Sequence, residues 1–104
     1  MDIKINTDNH IESSQRFIDN FTNNLRESMA RFDNYVTTYE VYFSDENSDK
    51  KTPNDKKCVI EARVKHKNPE RVSHNASEIH QAFEGAVRKM KVVLEKVVDM
   101  QQAH

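Results

Sequence analysis

Four readings of the residues could carry chemistry, and each lacks a feature that its chemistry needs. Asp45-Glu46-Asn47-Ser48-Asp49 begins as a calcium loop does, with oxygen ligands at positions 1, 3 and 5. Position 6 needs glycine for the sharp turn and holds Lys50; position 12 needs a bidentate glutamate and holds Lys56. Cys58 with His66, His74 and His80 invites a zinc site, but the spacings match no compact ligand pattern. Cys58 falls on the apolar side of an alternating segment, where cysteine acts as a small hydrophobe and burial raises the thiol pKa. Phosphate-cradling loops need glycines for close backbone approach, and Gly85 is the only glycine. The carboxylates of Asp45, Glu46 and Asp49 share one polar loop with no visible pocket. The expectation is a protein without metal or cofactor that does not act as an enzyme.

Basic residues remain. Arg88, Lys89, Lys91 and Lys96 fall off the apolar stripe of the last helix and are expected to project to solvent. Lys89 and Lys96 lie seven apart, two helical turns along one side. Lys56, Lys57, Arg63 and Lys65, with Lys50, Lys51 and Lys67, come from the preceding loop and strand. Lysine and arginine in such an array suit a phosphate backbone, which they neutralise with release of counterions. Glu84, Glu95 and Asp99 interrupt the array.

Placing these residues requires a scaffold. Ile3 and Ile5 alternate with Lys4 and Asn6, a short strand with one buried face. Asp8 and Asn9 are candidate helix starters. Ile11, Phe17, Ile18, Phe21, Leu25, Met29 and Phe32 recur at spacings near three and four, an amphipathic helix of about six turns. Asp33-Asn34 supplies turn chemistry at its end. Tyr35 to Ser44 is rich in β-branched and aromatic residues and reads as a strand, with Tyr39, Val41 and Phe43 inward and Glu40 toward water. Residues 45–56 lack any apolar side chain and read as a surface loop. In the strand Lys57 to His66, Cys58, Ile60, Ala62 and Val64 share one face. Asn68-Pro69 turns the chain, and Arg71 to His74 forms a fourth strand. Asn75 or Ser77 can cap the last helix, with Glu78 completing a capping box from Asn75. Ile79, Ala82, Phe83, Ala86, Met90, Val93, Leu94 and Val97 form its stripe. Gly85 inside this helix costs about 1 kcal/mol against alanine, and close packing on the sheet is the expected reason. The order β-α-β-β-β-α gives an α+β fold: a four-stranded sheet with two helices packed on one face and the other face open.

The 104 residues suit a single domain, residues 1–104. The net charge of −1 hides an uneven distribution: −6 over residues 1–49, +5 over 50–71 and zero over 72–104. A local positive segment on a near-neutral chain favours a directed contact with phosphate over indiscriminate nucleic-acid binding. DNA is not an expected partner. No apolar run approaches the roughly 20 residues of a membrane helix, and residues 1–9 carry no signal-type stretch. With one cysteine, a cytoplasmic location is expected.

From Val41 to Glu95 the sequence resembles the short form of the ribosome hibernation-promoting factor and ribosome-associated translation inhibitor family, also labelled sigma-54 modulation proteins. The stretches that carry the resemblance are FSDENSDK (43–50), DKKCVIEARV (55–64), the spaced Pro69, Val72, His74 and Ala76, and QAFEGAVRKMKVVLE (81–95). Lys89 matches the lysine of a family Lys-Leu pair, with Met90 in place of leucine, and Lys91 matches a further basic position. Val92 and Glu95 depart from the pattern, and the first helix, with Arg16, Arg26 and Arg31, is less basic than in typical members. The resemblance implies the same fold, binding in the small-subunit channel where messenger and transfer RNA lie, contact with ribosomal RNA, and inhibition of translation in resting or stressed cells. The alternative partner class is a protein, bound through the open sheet face or the 45–57 loop.

Overall fold

The computed structural model describes residues 1–9, 11, 13–46 and 53–102. Its elements are β1 (Asp2–Thr7), α1 (Gln15–Ser28), a 3-10 turn (Ala30–Phe32), β2 (Val36–Asp45), β3 (Lys56–Val64), β4 (Glu70–Ala76) and α2 (Ile79–Gln102). The strands pair in the order β1-β2-β3-β4. β1 runs parallel to β2, with Ile3 opposite Tyr39 and Ile5 opposite Val41. β2, β3 and β4 form an antiparallel meander, with Val41 opposite Ile60 and Cys58 opposite His74. The expected α+β architecture is thus observed.

Strand alternation decides the core. Tyr39, Val41 and Phe43 of β2 and Cys58, Ile60 and Ala62 of β3 are buried against Phe21 and Leu25 of α1 and Ala82, Phe83, Ala86, Met90 and Leu94 of α2. Four phenylalanines knit the layers. Phe21 lies 4.8 Å from Phe17, 4.8 Å from Phe43 and 4.9 Å from Phe83, centroid to centroid. Such tilted and edge-to-face pairs contribute about 0.5–1.5 kcal/mol each beyond area burial. Cys58 is fully buried, and burial pushes its thiol up to about 12.

The first helix differs from its periodicity. Ser14, not Asp8 or Asn9, is the N-cap: its Oγ accepts the Phe17 N–H at 3.2 Å. Asp8 instead accepts the Asp45 N–H through Oδ2 at 2.9 Å, tying the β1 exit to β2. A hydrogen-bonding carboxylate serves strand ends as well as helix starts, so the sequence signal is ambiguous. Beyond Ser28 the backbone tightens into the 3-10 turn, which keeps Met29 and Phe32 buried. An apolar spacing that includes these two residues overstates the α-helix.

Asn75 caps nothing. It remains in β4, and its side-chain amide donates to Glu46 Oε2 and the Asn54 carbonyl at 3.4 Å each. The Ala82 N–H donates to the Glu78 carbonyl at 3.0 Å, so Glu78 holds the cap position of α2. Gly85 has the expected reason. A Cβ there would fall on the imidazole ring of His74, which lies flat against the helix.

Candidate nucleic-acid interface

α2 is about 36 Å long at 1.5 Å per residue and packs over β3 and β4. Its cations leave on two flanks. Lys89 reaches the β4 side, where its Nζ donates to the Ser73 carbonyl at 2.8 Å. Lys96, two turns on, continues that flank. Arg88 faces the other way and lines a cleft between the helices with Asn24 and Ser28 of α1 and Phe83, Glu84 and Val87 of α2. Lys91, three residues on, follows Arg88 but is half-buried, unlike the exposed side chain expected. Glu95 closes this flank by an ion pair with Arg31, whose guanidinium also sits 4.7 Å from the Phe32 ring centroid.

The β3 cations divide as well. Lys56 and Lys57 stand at the start of the strand, and Arg63 and Lys65 at or beyond its end. Lys56 lies on the helix-covered side and is committed internally. Its Nζ meets Asp45 Oδ2 and Asp55 Oδ1 at 3.1 Å each. Asp45 first and Asp55 second, by hydrogen bonding, raise its pKa above the usual lysine value. Lys57 pairs with Glu46 at 3.4 Å. Arg63 is exposed on the open sheet face, and Lys65 is exposed in the β3–β4 turn, where His66 adopts a left-handed φ of 63°. Lys50 and Lys51 lie outside the described residues. The eight residues singled out from sequence thus form no single patch: two flanks of α2, one strand end and one neutralised ion cluster.

Two further cations, each paired with a carboxylate, approach these groups only in the folded chain. Arg31 follows α1 in sequence yet sits against α2, and Arg71 extends over Tyr42 on the open face at 5.9 Å. Only the fold brings either into position. That face carries a row across all four strands, Lys4–Glu40–Glu61–Arg71. Tyr42, 37% exposed, donates to Glu40 Oε2 at 2.6 Å. Among the described residues no cluster of three or more histidine, cysteine or acidic residues could hold a metal ion, and no helix is long and apolar enough to cross a membrane.

A meander sheet preceded by a parallel β-α unit and covered on one face by two helices, the longer one bearing cations, defines the class of fold to which known proteins can be compared. The model of the family described as "Sigma 54 modulation protein / S30EA ribosomal protein" matches residues 3–102, and the chain belongs to that family. Among solved structures, the N-terminal domain of Protein Y from Thermus thermophilus aligns with a TM-score of 0.73 at 16% identity, covering 93% of this chain and 99% of that one. A ribosomal subunit interface protein from Coxiella burnetii aligns with a TM-score of 0.65 at 13% identity, covering 95% and 99%. At such identities these two establish likeness of fold. Comparison with curated proteins gives no significant match.

Proposed function

We propose that this chain binds the small ribosomal subunit in the channel that holds messenger and transfer RNA, and thereby inhibits translation in resting cells. It acts in the cytoplasm and by occupancy, without catalysing a reaction. Family membership over residues 3–102 carries the reading. The two cationic flanks of α2 supply the physical means, with Arg88 and Lys91 on one side and Lys89 and Lys96 on the other. A helix with charge on both flanks can lie between two lines of phosphate. Lys57, Arg63 and Lys65 offer further contacts, and the Lys56 ammonium adds least because two carboxylates already surround it.

The test replaces Lys89 and Lys91 with glutamine, which keeps helix propensity. The wild-type chain should cosediment with small subunits at about 50 mM salt and leave them as salt rises. The double variant should bind more weakly at every salt concentration, with a salt slope smaller by roughly one to two contacts. An unchanged slope would remove these lysines from the interface, and no wild-type binding would remove the RNA reading. A second reading, binding of a protein through the open sheet face, is favoured by Tyr42 and the charged row beside it. Under that reading Glu40→Ala or Arg63→Ala should weaken partner binding while the lysine pair is dispensable.

A further inference from the structure

Lys89 does something within the molecule that its place in an RNA interface does not explain. Its ammonium hydrogen-bonds a main-chain carbonyl of the outermost strand at 2.8 Å. β4 pairs with β3 on one side and ends the sheet on the other. The Glu46 N–H bonds the Asp55 carbonyl, so alternate residues of β3 from there, Lys57, Val59 and Glu61, turn their main-chain groups to β2, and their β4 partners Asn75, Ser73 and Arg71 turn theirs off the sheet. β4 is seven residues long and has neither proline nor bulge among its described pairs. An edge of that kind is a template for another strand, and a lysine placed on it is a known form of protection.

We propose that Lys89 guards the β4 edge, and that withdrawing its charge allows β4 to pair antiparallel with β4 of a second copy about a two-fold axis at Ser73. The sequence of the strand favours a second copy as the occupant. Centred on Ser73, the pairing sets Arg71 against Asn75, Val72 against His74 and Glu70 against Ala76, so no like charges stand opposite each other. The outward groups of residues 71, 73 and 75 then meet in register. α2 lies over β3 and β4, so the same axis brings together the two α2 flanks that carry Lys89 and Lys96. Their mutual repulsion reinforces the guard, and phosphate that engages Lys89 relieves both effects. This last link rests on the function proposed above; the guard itself does not.

Disulfide trapping tests the proposal. Residues paired across a two-fold in a hydrogen-bonded antiparallel pair have Cα atoms about 5.5 Å apart, within the range a disulfide spans. Cys58 is buried and should stay out of the reaction. Ser73→Cys alone should remain monomeric under mild oxidation. Ser73→Cys with Lys89→Gln should form a dimer that reductant dissolves, and Ser73→Cys with Lys89→Arg should not. Sedimentation of Lys89→Gln without the added cysteine should show concentration-dependent dimerisation that the wild type lacks. Equal crosslinking with and without Lys89, or a monomeric Lys89→Gln chain that also resists crosslinking, would overturn the guard. Small subunits added to Ser73→Cys should promote crosslinking. Failure of this arm alone would overturn the phosphate coupling and leave the guard standing, whereas failure of wild-type cosedimentation bears on the ribosome reading.

Discussion

Gly85→Ala puts the fit of α2 on the sheet to a direct test. In an unobstructed helix interior the change should stabilise by about 1 kcal/mol, because alanine is the better helix former. Here the new methyl meets the His74 ring, including the ring atom nearest its own backbone, so the ring cannot clear it without a new rotamer. His74 also stands opposite Cys58 in the sheet, so a displaced ring disturbs a fully buried neighbour. Overpacking of this kind costs about 1–3 kcal/mol and should outweigh the propensity gain, leaving a net loss of about 1 kcal/mol. For a domain of this size that lowers Tm by roughly 4–8 °C. The decisive comparison uses His74→Ala as background. With the ring gone, Gly85→Ala should stabilise by about 1 kcal/mol, and the cycle should show a coupling of about 2 kcal/mol by urea unfolding. Additive effects, or a single Gly85→Ala variant more stable than wild type, would refute the packing argument.

Two further substitutions follow from the core. The Tyr39 hydroxyl is buried with no hydrogen-bond partner among the described residues, and burial first, then the nearby Asp33 charge, raises its pKa. Tyr39→Phe removes an unsatisfied polar atom, so it should be neutral or stabilising by about 1 kcal/mol in chemical denaturation, and a loss above about 1 kcal/mol would show that the hydroxyl is satisfied. Cys58→Ala should lose about 1 kcal/mol or more without affecting binding, and native Cys58 should resist thiol reagents that label it rapidly after unfolding. The folded thiol is raised from its ordinary 9 to about 12. Its neutral form therefore contributes fully below about pH 9, and that contribution is lost as pH rises from about 9 to about 12. Cys58→Ala should flatten this part of the alkaline stability profile, and an unchanged profile would count against burial as the cause.

Alternation made the sheet legible. Tyr39, Val41, Phe43, Cys58, Ile60 and Ala62 all face inward as their period of two requires, since a one-residue slip would turn each to water. The lone glycine also announced a close approach of helix to sheet. Helix ends were harder, because Asp8, Ser14 and Asn75 can all serve the same capping role. Which one caps depends on partners distant in sequence, Asp45 for Asp8 and Glu46 for Asn75. The candidate interface was legible only as composition. Residue types identified the cations of α2, but their division into two flanks depends on where α1 and β4 lie. The internal commitment of Lys56 depends on a strand pairing that sets it opposite Asp45. Family likeness, carried by residues 41–95 in the sequence, extends over 3–102, so the N-terminal part shares the ancestry even though its residues are less telling.

Every pairing in the sheet joins strands that are consecutive in the chain, and this has a kinetic consequence. The β2–β3 and β3–β4 connections, residues 46–55 and 65–69, close at small entropic cost. The β1–β2 pair encloses α1, and closure entropy grows only slowly with loop length. Pairing between chain neighbours keeps the closure cost modest for a mixed α/β sheet. During synthesis, however, β2 emerges before its antiparallel neighbour and carries three of the most buried side chains, Tyr39, Val41 and Phe43. The nascent chain therefore exposes its stickiest strand until β3 is released, and Asp45 and Glu46 at the trailing end of that strand wait for their partners Lys56 and Lys57 until then.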